Sequence, residues 1–139
     1  MPKDPFQTAL HFLKFRPRSV FEIQQKLKSK KIAEEEIAKV ISVLKKNKLL
    51  NDEDFAKMWV RDRNLLKPSG SYLLKMELRR LGIADHIIEE VLMAQDDETL
   101  ALKALESKSR LRKADFKKKA SFLARRGFPS GVIYKVLKK

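Results

Sequence analysis

Three observations predict an all-α protein built from three tandem three-helix repeats, elongated and somewhat curved. Apolar residues recur at helical spacing through most of the 139 residues. No segment alternates like a strand between hairpin turns. The chain also matches itself at a shift of 51 residues and then at a further shift of 45.

Taken in order, the elements justify that class. Ala9 and Phe12 mark an opening helix, which Arg16-Pro17 ends. Ser19 followed three residues later by Glu22 is a capping box, and Val20, Ile23 and Leu27 form the stripe behind it. Ile37, Val40, Ile41 and Leu44 fall at i, i+3, i+4 and i+7. Asn51 and an acidic first turn open the segment of Phe55, Met58, Trp59 and Asp62. Leu74 and Leu78 follow, then Ile87, Ile88, Val91 and Leu92. Further breaks fall at Pro68-Ser69-Gly70, Gly82, Ser107-Lys108-Ser109 and Gly127-Phe128-Pro129. About nine short helices result, each too short to hold in water without tertiary packing.

The self-match fixes the unit. The first shift sets Pro17 on Pro68, Ile23 on Leu74, Leu27 on Leu78, Ile32 on Ile83 and Ile37 on Ile88. The second sets Leu78 on Leu123, Gly82 on Gly127, Ile83 on Phe128 and Ile88 on Ile133. The predicted repeats are residues 1–48, 49–95 and 96–139. Each lies near the lower size limit for a self-sufficient core, so neighbours should brace one another.

Charge narrows the partner. Lys and Arg number 32 against 18 Asp and Glu, a formal net charge of +14. The three predicted repeats carry +7, −1 and +8. Two basic ends around a neutral middle point to a polyanion touched at several places, nucleic acid first. Cysteine is absent, which excludes disulfides, a thiolate nucleophile and Cys-based zinc. No stretch has the run of apolar residues of a membrane span, and MPKDPFQTAL has no apolar signal core. A cytoplasmic protein is therefore expected.

Catalytic chemistry finds no constellation. His11 and His86 are far apart, and Ser19, Ser69, Ser71 and Ser130 sit at turns or caps with no base nearby in sequence. The clusters Asp52-Glu53-Asp54 and Asp96-Asp97-Glu98 lie where helices begin. There they meet the positive end of the dipole, and no calcium-loop spacing surrounds them. No phosphate-binding glycine loop is present. Trp59 shares a face with Phe55 and reads as core, as do Phe122 and Phe128. No enzyme, metal, cofactor or small-molecule substrate is expected.

The basic clusters are the candidate contacts: Lys14, Arg16, Arg18, Lys30, Lys31, Arg79, Arg80, Arg110, Arg112, Lys117, Lys118, Arg125 and Arg126. Lys108, Lys113 and Lys119 extend these runs. Arginine forks suit phosphate or carboxylate. Arg79, Arg80, Arg125 and Arg126 stand out because they recur at the end of the second helix in repeats two and three. Lys30 and Lys31 hold the corresponding place in repeat one.

At Leu49-Leu50-Asn51-Asp52-Glu53-Asp54-Phe55-Ala56, and on through Trp59-Val60, the chain resembles the RecX family of recombinase regulators. Gly70 through Glu77-Leu78 with Leu81-Gly82-Ile83, Phe122 through Gly127-Phe128, and Arg18-Ser19 with Glu22 and Leu27 resemble three further elements of that family. The resemblance covers almost the whole chain. It departs at Lys31, where the family usually has the glycine that ends the helix in a left-handed turn. Lys31 must accept that conformation at a cost or end the helix differently. The resemblance implies three modules in a crescent that bind the RecA recombinase, chiefly as a filament on single-stranded DNA. It implies that they lodge in the filament groove and suppress ATP hydrolysis, strand exchange and co-protease activity. The residues by themselves leave a second reading open: a basic helix-turn-helix-like protein that binds DNA directly in the major groove.

Overall fold

A computed structural model describes residues 4–138. Among these residues the chain is helical throughout, with no strand: α1 Pro5–Phe15, α2 Val20–Ser29, α3 Glu34–Lys46, α4 Asp52–Leu66, α5 Ser71–Arg80, α6 Asp85–Leu92, α7 Asp97–Glu106, α8 Phe116–Arg125 and α9 Ser130–Leu137. A short 3₁₀ turn, Ser109–Leu111, was not expected. It sits where the Ser107-Lys108-Ser109 break reads as plain loop, and Leu111 is buried there.

The helix starts are chemical. Ser19 Oγ accepts the Glu22 N–H at 3.2 Å while Ser19 N–H donates to the Glu22 carboxylate at 3.1 Å, completing the capping box. Asp4, Asn51, Asp96 and Asp115 each accept an N–H of the first turn that follows. The Asp96 carboxyl is held below the usual carboxylate range, first by the Thr99 hydroxyl and then by the Thr99 N–H. This cap is therefore complete at neutral pH and lost on acidification.

Three apolar clusters result, one for each successive helix triplet. Ile23, Leu27, Ile37, Ile41 and Leu44 centre the first; Phe55, Leu78, Ile83 and Ile88 the second; Ala101, Ala104, Leu123, Phe128 and Ile133 the third. The first reaches to Leu50, just beyond the predicted boundary at 48. The matched leucines Leu27, Leu78 and Leu123 are all fully buried. Truncating any of them to Ala should cost about 2–5 kcal/mol. Extensive helix–helix packing stays within each triplet. The surface, 9500 Å², exceeds the roughly 7,500 Å² expected for one compact body of this mass, as small separate cores require.

The triplets meet through their second helices, end to end. Ser19 Oγ–H, at the start of α2, donates to the Leu81 carbonyl at the end of α5 (2.6 Å). In the same register, Gly70 N–H at the start of α5 donates to the Arg126 carbonyl at the end of α8 (2.8 Å), and Tyr72 N–H to the Gly127 carbonyl (3.0 Å). Carbonyls orphaned at one helix end thus receive donors from the start of another. A carboxylate from the next triplet completes each joint. Asp52 accepts the Val20 N–H at 2.8 Å, and Asp97 accepts the Ser71 N–H at 3.2 Å and the Ser71 hydroxyl at 2.6 Å. The acidic clusters therefore do more than meet their own helix dipoles.

Candidate partner interface

The second helices close with one repeated turn. In α2 the Lys31 N–H reaches the Lys28 carbonyl and the Ile32 N–H the Leu27 carbonyl. In α5 the donors are Gly82 and Ile83, and in α8 Gly127 and Phe128. This is the Schellman arrangement, with the residue after the cap left-handed: φ is 61° at Lys31, 78° at Gly82 and 87° at Gly127. Lys31 accepts the conformation, which answers the question its sequence raised.

The turns also correct a register. Lys31 aligns with Gly82 and Gly127, so Arg126 aligns with Leu81 and Arg125 with Arg80. The basic pairs that look repeated are offset by one residue. Arg126 has a different setting from Arg80. It donates to the Pro68 carbonyl at 2.6 Å and lies 5.6 Å from the Phe122 ring. Desolvation, then Arg63, lowers its pKa. Arg126 therefore clamps the joint between the second and third triplets.

Arg16 and Arg18 are likewise engaged within the chain. Both converge on Glu22, and Arg18 lies flat on Phe12, 3.7 Å from the ring centre, with its side chain 13% exposed. Desolvation, then Arg16, lowers the Arg18 pKa, and Glu22 opposes the shift. Arg79 pairs with Asp85 at 3.2 Å in an exposed setting, a contact worth little. Lys14, Lys30, Lys31, Arg80, Arg110, Arg112, Lys117, Lys118 and Arg125 are exposed and form no ion pair among the described residues.

Two grooves gather some of these cations. One, of about 410 Å³, runs along α5 between Tyr72, Lys75, Met76, Arg79 and Arg80. Tyr72 and Met76 are 61% and 48% exposed there. Sequence reading missed them, although their i, i+3, i+4, i+7, i+8 spacing opposite Leu74 and Leu78 is a legible helical face. Trp59 Nε1–H and the Arg63 guanidinium both donate to Glu77, which ties α4 to the same helix. The other groove, about 820 Å³, lies between the 3₁₀ turn and α8 and holds Arg110, Lys117, Lys118 and Arg125, with Lys113 in addition. Lys14, Lys30, Lys31 and Arg112 belong to neither groove.

The histidines and the two buried serines singled out in the sequence do not come together. His11 and His86 are exposed, and Ser19 and Ser69 are buried with their hydroxyls bonded to backbone. No metal-binding cluster is present among the described residues, and none of their helices is long and apolar enough to cross a membrane.

Fold and surface together define a class: an all-helical protein of small helix triplets joined end to end, with its unpaired cations on exposed helix faces and turns. Family models for the first and second three-helix domains of RecX match residues 6–44 and 51–92. The chain belongs to the RecX family of regulatory proteins. It is 38% identical to the regulatory protein RecX of Prosthecochloris aestuarii, over 93% of this chain and 88% of that one. It is 37% identical to that of Chlorobium phaeobacteroides, over 97% and 92%. Against the RecX of a Geobacillus species, 33% identical, the chain spans only 53% of the relative's length. The crystal structure of RecX from Lactobacillus salivarius superposes with a TM-score of 0.86 at 25% identity, covering 96% of this chain and 92% of the other.

Proposed function

We propose that the protein is a non-enzymatic regulator of the RecA recombinase. It acts in the cytoplasm on RecA filaments assembled on single-stranded DNA and restrains ATP hydrolysis, strand exchange and co-protease activity. Three modules, residues 1–48, 49–95 and 96–139, lie along the filament and touch successive protomers. Weak contacts then add through effective concentration. The carrying observation is the α5 face. Tyr, Met and Arg are the residue types enriched at protein interfaces, and here they stand exposed on the middle module.

The test is RecA-driven ATP hydrolysis on single-stranded DNA, with co-sedimentation to read binding. Arg79→Glu with Arg80→Glu should weaken inhibition at least tenfold at unchanged helicity, since the single ion pair they remove is exposed. Unchanged inhibition would remove α5 from the interface. Tight, sequence-selective binding to bare duplex with filaments ignored would favour the major-groove reading instead.

A further inference from the structure

The two grooves differ in chemistry, and the difference assigns them different partners. The α5 groove mixes an aromatic, a thioether and cations. The α8 groove has five cations and one carboxylate, Asp115, whose Oδ1 accepts the Lys118 N–H at 2.9 Å. None of the five cations is ion-paired among the described residues. Of its apolar lining, the large side chains Leu111 and Phe122 are buried at 7% and 5% exposure, and Ala114, partly buried, is small. Such a surface has no apolar anchor for a protein and is rich in lysine, which protein interfaces avoid. Polar, strongly basic surfaces are what nucleic-acid backbones select.

We infer that the α8 groove holds the sugar–phosphate backbone of a nucleic-acid strand, while α5 contacts protein. This rests on the filament reading above and deepens it. Lys117, Ser121 and Arg125 succeed one another every four residues on one wall, a rise of about 6 Å per step, so that they can follow consecutive phosphates. Arg110 and Lys113 face them from the 3₁₀ turn and the segment after it. The repeat register argues against a second copy of the chain as occupant. Lys117 and Lys118 stand where α5 has Tyr72 and Leu73, the residues on which the glycine turn of the third triplet rests. A second copy would have to bring its own Lys30-Lys31 turn onto these lysines, like charge against like.

The experiment uses the full chain without RecA and a fluorescent oligothymidylate, with anisotropy read across a salt series. The wild type should bind with a steep salt dependence. Lys117→Gln, Lys118→Gln and Arg125→Gln together should weaken binding more than tenfold and lower the log–log salt slope by about 2, near 0.7 for each phosphate no longer neutralised. These residues are exposed and unpaired, so circular dichroism should not change. Arg79→Glu with Arg80→Glu removes more charge but from α5, so it should weaken oligonucleotide binding less than the triple variant does. Equal affinity and slope in the triple variant, or no binding by the wild type, would overturn the assignment. Inhibition of RecA that persists under either of those results would leave the filament reading standing, so the two failures are distinguishable.

Discussion

The turns closing α2 and α8 have the same hydrogen bonds and the same left-handed residue, yet one is lysine and the other glycine. The difference is in what surrounds them. A side chain at Gly127 would overlap Leu73 at its Cβ and backbone N, and one at Gly82 would overlap Phe21. Lys31 is exposed. Left-handed backbone alone costs a non-glycine residue about 1–2 kcal/mol, which a folded module tolerates. Glycine is compulsory only where another triplet docks on the turn. The glycines that read as helix stops are therefore also joint residues.

The contrast can be broken from either side. The largest effect is expected at Gly127→Ala, which meets both strain and backbone overlap. It should destabilise the chain by about 3 kcal/mol or more, read by urea unfolding followed through helicity. A loss under about 1 kcal/mol would mean that the joint gives way easily and that docking does not impose the glycine. Next is the carboxylate that spans the joint. Asp97→Ala removes a cap from α5, in a different triplet, and should cost about 1 kcal/mol, as should Asp52→Ala for α2. Hydrogen exchange should quicken at the start of α5 in the first variant and of α2 in the second, while faster exchange confined to α7 or α4 would contradict a shared cap. The smallest effect is a gain. Lys31→Gly relieves the strain with nothing to collide with and should raise stability by about 0.5–1 kcal/mol in the same unfolding assay.

Much of the fold was legible because period and punctuation agree. The stripes of Leu27, Leu78 and Leu123, the capping box at Ser19 and the breaks at Pro68 and Gly127 are local signals. The joints were not legible. Ser19 meeting Leu81, or Asp97 capping α5, depends on how triplets are placed, and no local pattern encodes that. The candidate site was half legible for the same reason. Composition located the cations, but it could not distinguish Arg126, turned onto the Pro68 carbonyl, from Arg125 beside it, exposed to solvent. Nor did a search for charge register Tyr72 and Met76, which are exposed apolar residues on a helix whose other face is core.

The end-to-end joints have a mechanical consequence. Each is a handful of hydrogen bonds around a glycine, without a shared apolar interior. Its strength is directional and short-ranged, so a few degrees of bend stretch two or three bonds while every core stays dry. The chain is thus a row of stiff beads whose joints take up strain first. Under tension it should yield link by link, with small extensions, well before any bead unravels.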